Sequence, residues 1–209
     1  MNDLIIIGAG GFGRETLDVV EAINQVNPTW NFIGFVDDGE VNKVLMDARN
    51  VKVIGNRHVL SDYSSFSFVV AISNPKIRRE LVDFASNCGL NLATLIHPKA
   101  LVGSEVTIES GSIICAGVSI TTNIRVGNNS QLNPGVLIGH DTELEDFVSI
   151  YPGAVIGGNV HIGGNVTIGA NVTVLQGLSV GDDSMVGAGA VVTKSIPAQK
   201  IAKGIPANW

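Results

Sequence analysis

The sequence predicts two joined parts: an α/β layer of about 95 residues, then a three-sided coil of short parallel strands. Three observations predict it. An aliphatic residue returns every sixth position from Ile96 to Val192, a hydrophobic run Leu4–Ile7 leads into a glycine cluster at the start of the chain, and further strand-like segments recur before the repeat begins.

The repeat runs Ile96, Val102, Ile108 and on through Ile138, Leu144 and Ile150 to Val186 and Val192 without a skip. The residue two places earlier is small or aliphatic in nearly every hexad, as in Ala154, Val160, Val166, Val172 and Ala190, and Gly, Asn and Asp crowd the places just after it. A fixed period means one unit stacked on copies of itself, and six residues is too short for a helical repeat. Short strands joined by tight corners remain, with two inward side chains per hexad and with Gly and Asn tolerating the positive φ of the corners. Three faces close a coil of about 18 residues, and coils stack at the strand spacing of about 4.8 Å. An antiparallel sandwich would space its turns irregularly, at about 8–12 residues.

Elsewhere the composition sets limits. The 209 residues are 45% hydrophobic and 15% charged, as an aliphatic coil interior requires, and a net charge of −6 disfavours nucleic acid or an anionic membrane surface as partner. Two cysteines, Cys88 and Cys115, make no disulfide framework and suggest a reducing compartment. Leu4–Ile7 is too short for a signal peptide or a membrane span, so a cytoplasmic protein is expected.

Leu4–Ile7 reads as a buried strand, followed by Gly8-Ala9-Gly10-Gly11-Phe12-Gly13 and a helical pattern from Arg14 to about Asn24. Strand, glycines and helix N-terminus form the context of a phosphate-binding loop, where glycines admit a diphosphate and the helix dipole favours its charge. A second strand, 31–36, ends in Asp37-Asp38, the place where a Rossmann-like fold keeps its ribose-binding acid. The motif alone leaves NAD, a nucleotide-sugar or a merely structural turn open. Size favours the nucleotide-sugar, because the strands near 4–7, 31–36, 67–72 and 91–96 are too few for the two halves of a dinucleotide domain. After the strand 67–72, Ser73-Asn74-Pro75 starts a helix with Asn74 as cap and Pro75 in the first turn, at the carboxyl end of a parallel strand. Arg78 and Arg79 on this helix read as a solvated face, and His97 as a junction residue. Domain boundaries are expected at 1–95, a nucleotide-sugar-binding unit, and 96–209, the coil.

One hexad stands out chemically: Asn133-Pro134-Gly135 precedes Ile138-Gly139-His140-Asp141. His140 lies two places after an inward aliphatic, the corner phase held elsewhere by Ser104, Ala116, Pro134, Gly158 and Ala170. An exposed imidazole beside a carboxylate is a ready general base; a plain surface histidine is the alternative. Side chains adjacent in an extended segment point to opposite faces, so contact between His140 and Asp141 requires a corner there. His161, one place before inward Ile162, should point outward.

The hexads resemble those of the hexapeptide-repeat acyltransferases, whose β-helix is left-handed and whose subunits form trimers. With the glycine loop, Asp37-Asp38, Gly139-His140-Asp141 and the terminal Lys203-Gly204-Ile205-Pro206-Ala207, the whole chain resembles the sialic acid O-acetyltransferase and NDP-4-amino-sugar N-acetyltransferase family. The resemblance implies His140 as catalytic base, Asp141 as its helper and Asn133 as a further catalytic residue. It implies a nucleotide-sugar touching Gly10, Gly11, Phe12, Asp37, Asp38 and Ser73. It also implies acetyl-CoA between neighbouring subunits of a homotrimer, touching Ser149, Ala170 and Ala188. For the chemistry itself, a glycine-corner N–H such as that of Gly153 is expected to stabilise the oxyanion. Phe12 and Ser149 stand where the bacillosamine-pathway member has histidines. The expected chemistry is direct acetyl transfer to a sugar amine or hydroxyl, with no metal. Two rivals stand beside it: a binding protein without catalysis, and a trimeric zinc hydratase, which needs three converging histidines. Cys115, with no histidine near it in sequence, is a poor nucleophile candidate.

Overall fold

A computed structural model describes all 209 residues, and the chain divides into two compact units, Met1–Leu95 and Ile96–Trp209. The first unit is a parallel five-stranded sheet of β1 (Asn2–Ile7), β2 (Trp30–Val36), β3 (Val53–Gly55), β4 (Ser67–Val70) and β5 (Asn91–Leu92), in the order β3-β2-β1-β4-β5. Three helices accompany it: α1 (Gly11–Val26), the short α2 (Lys43–Asp47) and α3 (Pro75–Asn87), with a 3-10 helix at Arg57–Tyr63. Leu4, Ile5 and Ile6 are fully buried, as a central parallel strand covered on both faces must be. The chain steps outward from β1 through β2 to β3, then crosses back to β4 on the other side of β1. The crevice at the carboxyl ends of β1 and β4 is therefore the topological switch point, where open α/β sheets receive ligands.

Both helix starts follow from sequence. Asn74 caps α3, its side chain accepting from the N–H groups of Lys76 and Ile77, and Pro75 occupies the first turn. Helix α1 begins at Gly10 with no side-chain cap, so its first N–H groups lack the partner that a capping residue supplies elsewhere. The expectation of a solvated face holds for exposed Arg79 but fails for Arg78. Arg78 is 1% exposed, and its Nη1 donates to the carbonyls of Ile72 and Ser73 at 2.7 and 3.1 Å, tying α3 to the end of β4. The segment between β2 and β4 also holds α2, β3 and the 3-10 helix, none of which the hydrophobic pattern predicts.

The second unit is a left-handed parallel β-helix with a coil of 18 residues. Each strand pairs with the one 18 positions on, as Gln131 with Ser149 and Glu143 with His161. One face stacks Leu101–Val102, Ser119–Ile120, Leu137–Ile138, Val155–Ile156, Thr173–Val174 and Val191–Val192. A second runs from Val106–Ile108 to Ser179–Val180, and a third from Leu95–Ile96 to Ile201–Ala202. From Ile114 to Val192 every sixth residue is buried. Ile96 and Val102, expected inside, are 38% and 43% exposed. They belong to the first coil, which has a neighbouring coil on only one side. His97 accepts the Lys99 N–H on Nδ1, the junction role expected of it; burial first and the Lys99 charge second hold its pKa below the usual histidine value. The last coil is extended by Ile201–Ala202, which pairs with Met185–Val186.

Candidate functional site

In the first unit the glycine loop and the acids meet at the switch point. Gly13 packs against the loop's own start, since a Cβ there would lie 2.0 Å from the Gly8 carbonyl oxygen. Gly10 and Gly11 face open space, so packing within the unit does not require glycine at either position. Asp37 binds the loop itself: one carboxylate oxygen accepts from Ala9 N at 2.7 Å and the other from Gly39 N at 2.8 Å. Asp38 accepts from the Arg57 backbone N–H at 2.8 Å and from its Nε. Burial works to raise the Asp38 pKa, but the two Arg57 hydrogen bonds and the Arg57 charge outweigh it, holding the carboxyl below the usual range. A cleft of about 150 Å³ lies against Gly8, Asp37, Asp38 and Arg57. Phe12 is half-buried in the first turn of α1, and Ser73 is half-buried at the end of β4.

In the second unit the corner at His140-Asp141 exists, because Asp141 has φ +57° in the turn that ends one strand and starts the next. That turn swings the two side chains to the same side, and His140 Nδ1 lies 2.8 Å from Asp141 Oδ2. A carboxylate can only accept, so Nδ1 carries the proton and Nε2 keeps its lone pair when the ring is neutral. The other oxygen of Asp141 accepts from Asn123 Nδ2 at 3.1 Å, one coil earlier. The hydrogen bond from His140, then that from Asn123, holds the Asp141 carboxyl below its usual range. The result is a fixed line of Asn123, Asp141 and His140 in which Nε2 is the ring nitrogen left without a protein hydrogen bond; the His140 side chain is 62% exposed.

Sequence reasoning missed Gly158. A Cβ at this position would lie 2.6 Å from His140 Nε2 and 2.7 Å from its Cε1, so the imidazole rests against the next coil where only glycine leaves room. The signal was present. The same phase carries Ala116, Ala170 and Ala188, whose backbone accepts a side chain, and Gly158 has no positive φ to explain its glycine.

The remaining expected residues lie elsewhere on the coil. Asn133, Gly153, Ala170 and Ala188 belong to the corner column that precedes the face of Leu137–Ile138, whereas His140 belongs to the column that follows it. About five residues of extended chain, roughly 16 Å, separate the two columns. Ser149 lies on the third face and is 1% exposed. One chain therefore does not bring the expected acetyl-CoA residues to His140. The oxyanion role expected of Gly153 is corrected, because its N–H already donates to the Pro134 carbonyl at 3.1 Å. Asn133 is 8% exposed and its buried Oδ1 has no hydrogen-bond partner, an acceptor still owed a donor. His161, exposed as expected, pairs through Nε2 with Glu145 at 3.0 Å. No group of three His, Cys, Asp or Glu is placed to hold a metal ion, and no helix is long and apolar enough to cross a membrane.

Comparison with known proteins covers both units. Residues 3–84 match the PglD N-terminal domain, and residues 159–194 match the bacterial transferase hexapeptide (six repeats). The chain is 34% identical over 205 residues to the GDP-perosamine N-acetyltransferase of Escherichia coli O157:H7, covering 98% of this chain and 84% of that protein. Among solved structures, a histidine-to-asparagine mutant of perosamine N-acetyltransferase from Caulobacter crescentus, in complex with CoA and GDP-perosamine, superposes with a TM-score of 0.89 at 27% identity. That likeness covers 100% of this chain and 96% of that one. The acetyltransferase domain of PglB from Neisseria gonorrhoeae FA1090 gives 0.89 at 33% identity, covering 100% and 99%.

Proposed function

The chain belongs to the family of hexapeptide-repeat sugar acetyltransferases with a PglD-type N-terminal domain, and from that premise we propose that it acetylates the amine of a nucleotide-linked amino sugar through His140. It is an acetyl-CoA-dependent acetyltransferase. The amine nitrogen attacks the thioester carbonyl while His140 Nε2 takes a proton from nitrogen. The C–S bond then breaks, the imidazolium passes that proton to the departing sulfur, and CoA leaves as its thiol with no acyl-enzyme formed. Asp141 fixes the tautomer and offsets the charge of the imidazolium, as a buried acid does in hydrolase triads, and Asn123 orients Asp141. The observation that carries the reading is this anchored line of three side chains, which leaves Nε2 without a protein hydrogen bond at a corner.

The same proposal assigns the diphosphate to the uncapped start of α1 at Gly10, Gly11 and Phe12, with Asp37, Asp38 and Ser73 around the nucleotide. Acetyl-CoA goes to the column of Ala170 and Ala188. Because that column and His140 stand at opposite ends of one face, a second copy must bring its own column alongside, and a closed trimer does this three times over. The outward side chains of that face support it: Leu101, Leu137 and Val155 are 69%, 39% and 38% exposed, an apolar ladder between the two columns. A cytoplasmic setting belongs to the reading too, consistent with the absence of a disulfide between Cys88 and Cys115.

The test is acetyl transfer from acetyl-CoA to a panel of nucleotide-linked amino sugars, followed by mass spectrometry. His140→Ala should lower kcat by about 10³-fold, within the range typical of a lost general base, while sugar-nucleotide affinity is retained. Unchanged turnover in the variant would remove the mechanism, and a single-chain native mass would remove the trimer.

A further inference from the structure

The corner column that precedes the face of Leu137–Ile138 changes character part-way along the prism. One place after each inward aliphatic it carries Cys115, Asn133, Tyr151, Gly169 and Gly187 in turn. The two glycines answer to packing, since a Cβ on Gly169 would lie 2.5 Å from the Ala188 nitrogen and one on Gly187 would lie 3.3 Å from the Lys203 Cβ. Their consequence reaches further. Gly169-Ala170 and Gly187-Ala188 carry nothing larger than a methyl group, so a bare strip runs along two coils and stops at the half-buried ring of Tyr151. The Tyr151 backbone N–H donates to the Ile168 carbonyl at 2.9 Å, which fixes the base of that ring to the coil. Beyond it the same phase is occupied by Asn133 and Cys115, 8% and 2% exposed. The strip therefore has one closed end.

We propose that Tyr151 of one copy forms the end wall of the acyl pocket beside His140 of the next, and that its ring confines the transferred group to acetyl. The inference rests on the reading above, in which a second copy brings its corner column to His140, and it adds a specificity-determining residue to that site. In a closed trimer whose axis runs along the coils, rotation shifts nothing along the axis, so residues at equal height face one another. Height follows the winding order. Tyr151 falls between His140 and Gly158, within about 3 Å of either in height at a rise of about 4.8 Å per coil. The pantetheine arm of CoA laid along the bare strip thus brings its thioester level with His140 where the ring blocks further travel. His140 and Asp141 can serve any acyl thioester. Length is selected by what stands beyond the carbonyl, and each added methylene would have to displace an aromatic ring rooted in the coil.

Competition between acetyl-, propionyl- and butyryl-CoA in the full chain, read by mass spectrometry of the acylated sugar nucleotide, tests this. The unmodified protein should prefer acetyl to butyryl by about 100-fold or more in kcat/KM, as two methylenes against a fixed wall imply. Tyr151→Ala should narrow that preference by about tenfold or more, chiefly by raising kcat/KM for butyryl-CoA, whereas Tyr151→Phe should keep it. Mixed trimers with an excess of His140→Ala chains identify the copy that supplies the ring. Their working sites pair His140 of a Tyr151→Ala chain with an intact Tyr151 from its neighbour, so acetyl selectivity should return. An unmodified protein that uses butyryl-CoA as well as acetyl-CoA, an unchanged preference in Tyr151→Ala, or a preference that stays relaxed in the mixed trimers overturns the assignment. The two readings fail differently. Acetyl transfer that needs His140 and ignores residue 151 sinks the acyl limit alone, whereas no transfer from any thioester to any amino-sugar nucleotide sinks the catalytic reading and the acyl limit with it.

Discussion

The two units use glycine for opposite purposes. In the α/β unit Gly13 lets backbone meet backbone, with the Gly8 carbonyl oxygen 2.0 Å from where a Cβ would stand. In the β-helix Gly158 leaves room for another residue's side chain, the imidazole of His140. The first requirement belongs to the fold, because neither backbone segment can yield without parting α1 from β1. The second belongs to the proposed chemistry, because the ring can swing away and the coil survives. A close approach therefore has to be read by what it approaches: carbonyl oxygens mark architecture, and a titratable side chain marks function.

Gly13→Ala should produce the largest effect. Overpacking against a fixed backbone costs about 1–3 kcal/mol or more, so the first unit should melt earlier and lose nucleotide binding, while the β-helix keeps its own transition in calorimetry. A variant with normal nucleotide affinity would show that the loop yields more easily than the geometry implies. Gly158→Ala should leave thermal stability and nucleotide affinity almost unchanged and lower kcat by about 10- to 100-fold, or roughly 1.4–2.7 kcal/mol of barrier, as the ring leaves its seat. A fall in KM-linked binding or in melting temperature without a fall in kcat would return Gly158 to the class of ordinary corner residues.

Much of the β-helix was legible because its register is arithmetic. Once Ile138 is inward, the corner at His140-Asp141 follows, and the structure adds only the contact with Asn123 one coil away. What the period could not supply was any relation between columns, since sequence spacing says which face a residue occupies and nothing about a second chain. Gly153 shows the cost: it has the right residue type, yet its N–H is used by the coil below. In the α/β unit β1, β2, β4 and both long helices were legible from hydrophobic runs and from the Asn74-Pro75 start signal. The segment from Asp37 to Phe66 was not, because α2 and β3 span only 5 and 3 residues, too short for a period to register. Arg78 was misread for a related reason. A charged residue on an amphipathic helix looks solvated unless the carbonyls it will serve are known, and those belong to the end of β4.

The smallest effect, on pH, separates the units most cleanly. Each holds a carboxylate whose pKa is lowered, Asp38 by Arg57 against the opposing effect of burial, and Asp141 by its hydrogen bonds from His140 and Asn123. A carboxyl depressed in the folded state contributes its full stabilisation above its unfolded value and loses it only as pH falls through the lower folded value. Neither acid therefore changes charge between about pH 8 and 5. With Asp38 at the nucleotide as proposed, nucleotide affinity should stay within about twofold across that window. Acetyl transfer is not tied to that flat profile, because on the proposed mechanism it needs a free lone pair on His140 Nε2 and does not depend on Asp38. Calorimetric nucleotide affinity and kcat measured side by side check the division. If the two decline together as the solution is acidified, an ionisable group of the His140 corner takes part in holding the nucleotide, and binding and chemistry are not divided between the units in this way.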